Sequence, residues 1–230
     1  MEQRLARGAT LVLTALVAAT TAAAQEVRPN YAFYFGGQGG TTIFKTASQT
    51  RGAVPAFGGH VLAMAKRAGL MVSVEEAVGS NERAALSDPQ GAGGRREFLF
   101  NDVRTYSFVL MAFPIRTRLQ PYVGVGAGMI EAVNPRPLPP FADPNDQARI
   151  EEAGSELGSS GFATFVAGAQ YAVSIVDIFA QYQITSSSPN GSFDRFRGSL
   201  IRGPTHKVMA GLRIRLASGR DRGYGTKTEF

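Results

Sequence analysis

The sequence predicts an all-β chain, an eight-stranded antiparallel up-and-down transmembrane β-barrel, and three observations carry that expectation. Eight segments alternate apolar and polar residues with period two, their connections alternate long and short, and no segment after the leader is apolar enough for a membrane helix. Composition points the same way. Of 230 residues, 27 are Gly and 12 Pro while charged residues are only 18%, which suits strands and turns rather than disorder or long amphipathic helices. The length fits a single domain. Cysteine is absent, which excludes disulfides, Cys-based zinc sites and thiol nucleophiles, and leaves two histidines for metal or acid/base work.

Residues 1–24 read as a secretory signal peptide. Arg4 and Arg7 form a basic start, Leu11, Val12, Leu13, Leu16 and Val17 lead an uncharged core, and Ala22, Ala23 and Ala24 offer small-residue cleavage before Gln25. Losing Glu2, Arg4 and Arg7 lowers the net charge from +6 to +5. Residues 25–217 are then the barrel and 218–230 a polar C-terminal tail.

The last strand, His206 to Leu216, sets Val208, Ala210, Leu212, Ile214 and Leu216 against Lys207, Met209, Gly211, Arg213 and Arg215. Ile175 to Ile184 repeats the design with Ile178 and Tyr182 opposite Asp177 and Gln181. Working back, Gly161 to Tyr171, Pro121 to Ile130 and Arg104 to Phe113 alternate in turn, followed by Leu70 to Glu75, His60 to Lys66 and Tyr31 to Gly36. Gly124, Gly126 and Gly128 share one face of their strand and predict a crowded or sharply bent inner wall. Long connections are expected over Gly37 to Ala53, Gly79 to Val103, Val133 to Ser160 and Ser186 to Gly203, with short ones between, so the long loops gather on one rim. Within the third, Asp143-Pro144 before Asp146 to Glu156 reads either as an N-cap opening a short helix or as an acidic irregular loop.

Alternation alone does not say which face meets lipid, since a soluble ligand-binding barrel alternates in the opposite sense. Three features favour a bilayer: the glycines opposite Val123 and Val125, strand lengths near the roughly 9 to 11 residues of a tilted crossing, and recurrent Tyr and Phe on the apolar faces. Pro121 to Met129 (PYVGVGAGM), Val166 to Ser174 (VAGAQYAVS) and His206 to Leu216 (HKVMAGLRIRL) resemble blocks of the small bacterial outer-membrane β-barrel domains of OmpA/OmpX type. The resemblance spans most of residues 28–217. It implies eight antiparallel strands, an outer-membrane location with the signal peptide removed, and contact with the outer-membrane assembly machinery. Members often end on a terminal aromatic in the last strand, whereas here Ser218 to Glu229 precede Phe230. Either Leu216 closes the barrel and the tail hangs free, or Phe230 is still read as the signal.

An arginine at the bilayer midplane costs about 2 to 4 kcal/mol, so Arg213 and Arg215 must point inward. Lys66, Glu75, Asp177 and Lys207 join them as an expected structural lumen cluster, a packed polar plug rather than a channel. His60 and His206 are candidates for rim catalysis, but neither stands in a His-x-Ser arrangement, and each reads as polar lining. Gly36 to Gly40 and Gly91 to Gly94 lack the context of a phosphate loop and read as loop spacers. Asp143, Asp146, Glu151, Glu152 and Glu156 do not match calcium-loop spacing. Arg95, Arg96, Arg195, Arg197 and Arg202 lie in long loops and are suited to lipopolysaccharide phosphates; nothing suggests nucleic acid.

The expected function is an outer-membrane barrel with a structural or surface-loop binding role. It is expected to be a monomer and not an enzyme, without cofactor, metal or open channel, its partners being outer-membrane lipid and lipopolysaccharide. The alternatives are a periplasmic soluble barrel that binds a hydrophobic ligand, or a narrow pore.

Overall fold

All eight alternating segments form strands, and the strands close on themselves. The computed structural model describes residues 31–46, 48, 52–79, 81–186 and 192–219. The barrel consists of β1 (Tyr31–Thr46), β2 (Gly52–Ala65), β3 (Ala68–Ala77), β6 (Asp102–Ala112), β7 (Leu119–Val133), β9 (Ser159–Val173), β10 (Val176–Thr185) and β13 (Ile201–Gly219). Each strand pairs antiparallel with its neighbours, and β1 against β13 closes the ring. Closure leaves no unpaired edge in the barrel. The leader lies outside the described residues, as does the tail from residue 220. Because Ser218 and Gly219 pair with Ala32 and Tyr31, the last strand runs two residues beyond the expected boundary at 217.

Period-two alternation separates the two faces by polarity. Phe35 is 57% exposed, Leu110 61%, Val125 60% and Val208 60%, all pointing outward, whereas Arg213 and Asp177 are 0% exposed within the lumen. The inner wall is crowded as expected. A Cβ on Gly126 would stand 2.0 Å from the Phe108 carbonyl oxygen, and one on Gly128 would stand 2.5 Å from the Phe162 ring.

Gly36 to Gly40 are not loop spacers but part of β1, so the first long connection shrinks to residues 47–51. The reason is steric. A Cβ on Gly36 would lie 2.5 Å from His60 Nε2, and one on Gly40 would lie 2.0 Å from the Val208 carbonyl oxygen. Glycine here serves close packing of an extended chain, not a turn.

The other three long connections fold into a second layer over one rim. β4 (Glu82–Ser87), β5 (Arg95–Phe100), β8 (Arg136–Pro137), β11 (Ser192–Phe193) and β12 (Phe196–Arg197) make a five-stranded sheet in the order β11-β12-β4-β5-β8. The helical alternative for the third connection holds: α1 spans Pro144–Gly158, and the Asp146 amide donates to the Asp143 cap at 2.8 Å. The helix buries Ile150, Ala153, Gly154 and Leu157. These pack with Leu86, Phe98 and Phe196 of the small sheet and with Phe44, Ile130, Phe162 and Met209 of the barrel, so an apolar layer stops the mouth. The opposite rim carries the short turns after β2, β6 and β9, together with the first residue of β1 and the last of β13.

Candidate surface-binding site

The lumen residues fix which way the wall faces. Lys207 Nζ donates to Glu75 Oε2 at 2.5 Å, and Gln38 Nε2 donates to the other carboxylate oxygen at 2.5 Å. Arg213 forms a separate cluster: its Nε donates to His60 Nε2 at 2.9 Å, its Nη1 to Gln170 Oε1 at 2.5 Å, and its guanidinium lies 4.0 Å from the centre of the Phe179 ring. His60 therefore carries its proton on Nδ1. Arg215 Nη2 stands 3.9 Å from Asp177 Oδ1 at the turn end.

Glu75, Asp177, Lys207, Arg213 and Arg215 thus line the lumen, though not as one cluster of mutually paired ions. Lys66 does not join them. β2 ends at Ala65, and Lys66 occupies an exposed turn position with φ of 55°, so its side chain leaves at the rim. Sequence reasoning overlooked the neutral partners Gln38 and Gln170, although both occupy inward parity positions that the alternation makes readable.

Above the rim, Arg195 holds three connections together. Its Nε lies 3.0 Å from Asp88 Oδ1, its Nη1 donates to Gln90 Oε1 at 2.6 Å, and its Nη2 donates to Asp146 Oδ1. That donation holds the Asp146 carboxyl below the usual carboxylate range. Asp88 is fully buried and also faces Arg96 Nε at 3.6 Å; Arg96 Nη1 in turn donates to the Pro140 carbonyl at 2.5 Å. Arg96 and Arg195, two arginines the sequence offered for lipopolysaccharide phosphates, are therefore consumed internally. The reason is their register: Arg96 lies on the buried face of β5, and Arg195 turns toward the buried Asp88.

The remaining arginines gather on one flank. Lys45 of β1 stands opposite Arg202 of β13 above the apolar belt. Thr46 Oγ1 donates to the Arg83 carbonyl at 2.7 Å, which brings β4 alongside. Across that sheet Ser87 pairs with both Arg95 and Arg197. A shallow cleft of about 260 Å³ opens here, lined by Ala85, Leu86, Ser87, Gly94, Arg95 and Arg202. Arg197 Nη1 is engaged by the Asp194 and Phe196 carbonyls, but among the described residues no ion pair uses Lys45, Arg83, Arg95 or Arg202. On the far flank Arg104 is paired with Glu76 at 3.2 Å, beside Glu131. The cleft presents backbone, one hydroxyl and the guanidinium groups of Arg95 and Arg202 to an anion, with Glu97 two residues along the exposed face of β5.

The histidines do not come together. His60 faces the lumen, whereas His206 faces outward with its Nδ1 2.6 Å from the Tyr182 hydroxyl.

No family model matches the sequence, and no curated protein matches it. Solved structures do. Neisserial surface protein A aligns with 80% of this chain and 96% of its own at 12% identity and a TM-score of 0.51. The attachment invasion locus protein Ail of Yersinia pestis, in complex with the heparin analogue sucrose octasulfate, covers 82% and 99% at 14% identity and a TM-score of 0.42. A major outer membrane protein from Thermus thermophilus covers 80% and 98% at 13% identity and a TM-score of 0.41. The likeness to the neisserial protein shows a shared fold: the chain is a small closed barrel of eight antiparallel strands.

Proposed function

We propose that this chain spans a bacterial outer membrane, reached by export with removal of residues 1–24, and acts there as a structural and surface-binding protein through its folded loop cap. One observation carries the reading: the apolar residues face out and the ionic ones face in. A soluble ligand-binding barrel needs the reverse. In water the outward belt of Phe35, Leu110, Val125 and Val208 costs about 25 cal/mol for each Å² left exposed, while lipid solvates it at no such cost.

The cationic flank of Lys45, Arg83, Arg95 and Arg202 stands just above that belt, at headgroup height, and suits the phosphates of lipopolysaccharide in the same leaflet. A binding role rather than a conducting one is supported by the side chains that fill the lumen, among them Arg213, Tyr34, Tyr122 and Lys207, and by the apolar layer across the mouth. A binding role rather than a catalytic one is supported by the two histidines lying on opposite sides of the wall.

Spin labels test the reading. With the protein refolded into vesicles, labels at positions 178, 208 and 212 should relax with oxygen dissolved in the bilayer and resist an aqueous nickel chelate. The reverse pattern overturns it.

A further inference from the structure

On the outer wall near the turn rim, the side chains of the apolar belt thin out and leave a groove. Ala63, Ala65, Ala68 and Gly69 floor it, Tyr31 and Phe33 wall one side, Leu70 and Leu110 wall the other, and its volume is about 550 Å³. That size lies within the range of small-molecule sites. The groove runs straight to a cationic end. Ala65 pairs with Ala68, so the turn between them, Lys66 and Arg67, is the tip at which the groove stops, and both residues are exposed. The next turn on this rim adds Arg116 and Arg118, and the Phe113 amide donates to the Arg67 carbonyl at 2.8 Å, tying the two turns together. Asp177 is the one acidic residue at this rim among the described residues, and it faces the lumen toward Arg215. Here the barrel offers an acyl-sized apolar slot that ends in positive charge.

We infer that this groove is a seat for one anionic phospholipid of the leaflet at the turn rim, with an acyl chain along Ala63 to Gly69 and the phosphate at Lys66 and Arg67. The inference rests on the bilayer-spanning reading. Charge complementarity selects the occupant: a zwitterionic lipid gains the slot but little from the cations, whereas an anionic one gains both.

The test is native mass spectrometry of the mature barrel released from micelles that contain phosphatidylglycerol or phosphatidylcholine of identical chains. Wild type should keep phosphatidylglycerol in clear excess over phosphatidylcholine. Lys66→Asn with Arg67→Gln should bring the two lipids to parity, with roughly a fivefold loss for each cation removed; asparagine suits the positive φ of the turn. Ala65→Leu with Ala68→Leu fills the slot with residues that lipid tolerates and should abolish retention of both lipids. Equal retention of the two lipids by wild type, a phosphatidylglycerol excess that survives loss of both cations, or undiminished retention in the filled variant overturns the inference. If instead the wild-type protein stays dispersed without detergent and keeps no lipid, the bilayer-spanning reading itself has failed.

Discussion

Lys207 of β13 and Glu75 of β3, strands separated around the wall by β1 and β2, meet in the lumen at 2.5 Å with side chains 1% and 2% exposed. Taking two ions out of water is repaid only while both are present. Lys207→Met should therefore cost about 3 to 5 kcal/mol of barrel stability, because it strands the carboxylate with Gln38 alone. The double variant Lys207→Met with Glu75→Gln should recover most of that loss. Urea titration of refolded protein in vesicles reads both, and a double variant no better than the sum of the singles would sink the idea.

Glycine on the inner wall is a packing requirement, whereas outward glycine is not. A Cβ on Gly126 meets the Phe108 carbonyl oxygen at 2.0 Å, while one on Gly37 meets nothing within 4 Å. Gly126→Ala should cost about 1 to 3 kcal/mol through overpacking. Gly37→Ala should be neutral or stabilise by up to about 1 kcal/mol, since it removes freedom from the unfolded chain. Equal effects of the two substitutions on the unfolding midpoint would refute the distinction.

The barrel was legible because period two is a property of each strand alone: Val208, Leu212 and Ile214 against Lys207 and Arg213 announce two faces without any partner. The cap was not. Ala84 and Leu86 alternate with Arg83 and Ser87 over only six residues, and β8, β11 and β12 span two residues each, so no periodic signal accumulates. Arg195 looked like a surface cation for a related reason, as Asp88 and Asp146 lie in different connections and only the folded cap brings them together. Lys66 was misplaced by extending a correct alternation one residue into a turn, where parity stops carrying meaning.

Arg195 is the clasp of the cap. Its side chain is 13% exposed and Asp88 is fully buried, so Arg195→Ala leaves Asp88 with Arg96 at 3.6 Å as its one remaining cation, beside the Gln90 amide that donates to it at 3.1 Å. Losing that partner should weaken the cap by about 3 kcal/mol while the barrel strands keep their stability. Hydrogen exchange separates the two: amides of β4, β5 and α1 should lose protection and those of β10 and β13 should not. Uniform loss across both layers would show that cap and barrel unfold as one unit.

Acid should loosen the same clasp. The Arg195 donation depresses the folded-state pKa of Asp146, and Arg149 does likewise for Asp194. For a depressed carboxyl, the stabilisation is complete above the unfolded value near 3.9 and is lost as pH falls through the folded one. The clasp's own contribution to cap protection should therefore hold from neutrality to about pH 4 and decline below it, and Asp146→Asn should flatten part of that decline. A wild-type cap whose protection is unchanged down to pH 2 would contradict the assignment.

Glu82 works in the opposite sense. It is buried on β4 beside Phe100, its Oε2 has no hydrogen-bond partner among the described residues, and burial pushes its carboxyl up. A raised carboxyl binds its proton more tightly in the folded cap than in the unfolded chain, so its contribution falls as pH rises from the unfolded value through the folded one. Glu82→Gln keeps the shape and removes the charge. At neutral pH it should increase exchange protection of the β4–β5 hairpin, and below about pH 4, where the wild-type carboxyl is already protonated in both states, it should change little. Equal protection of variant and wild type at pH 7 would mean that the carboxylate reaches solvent there.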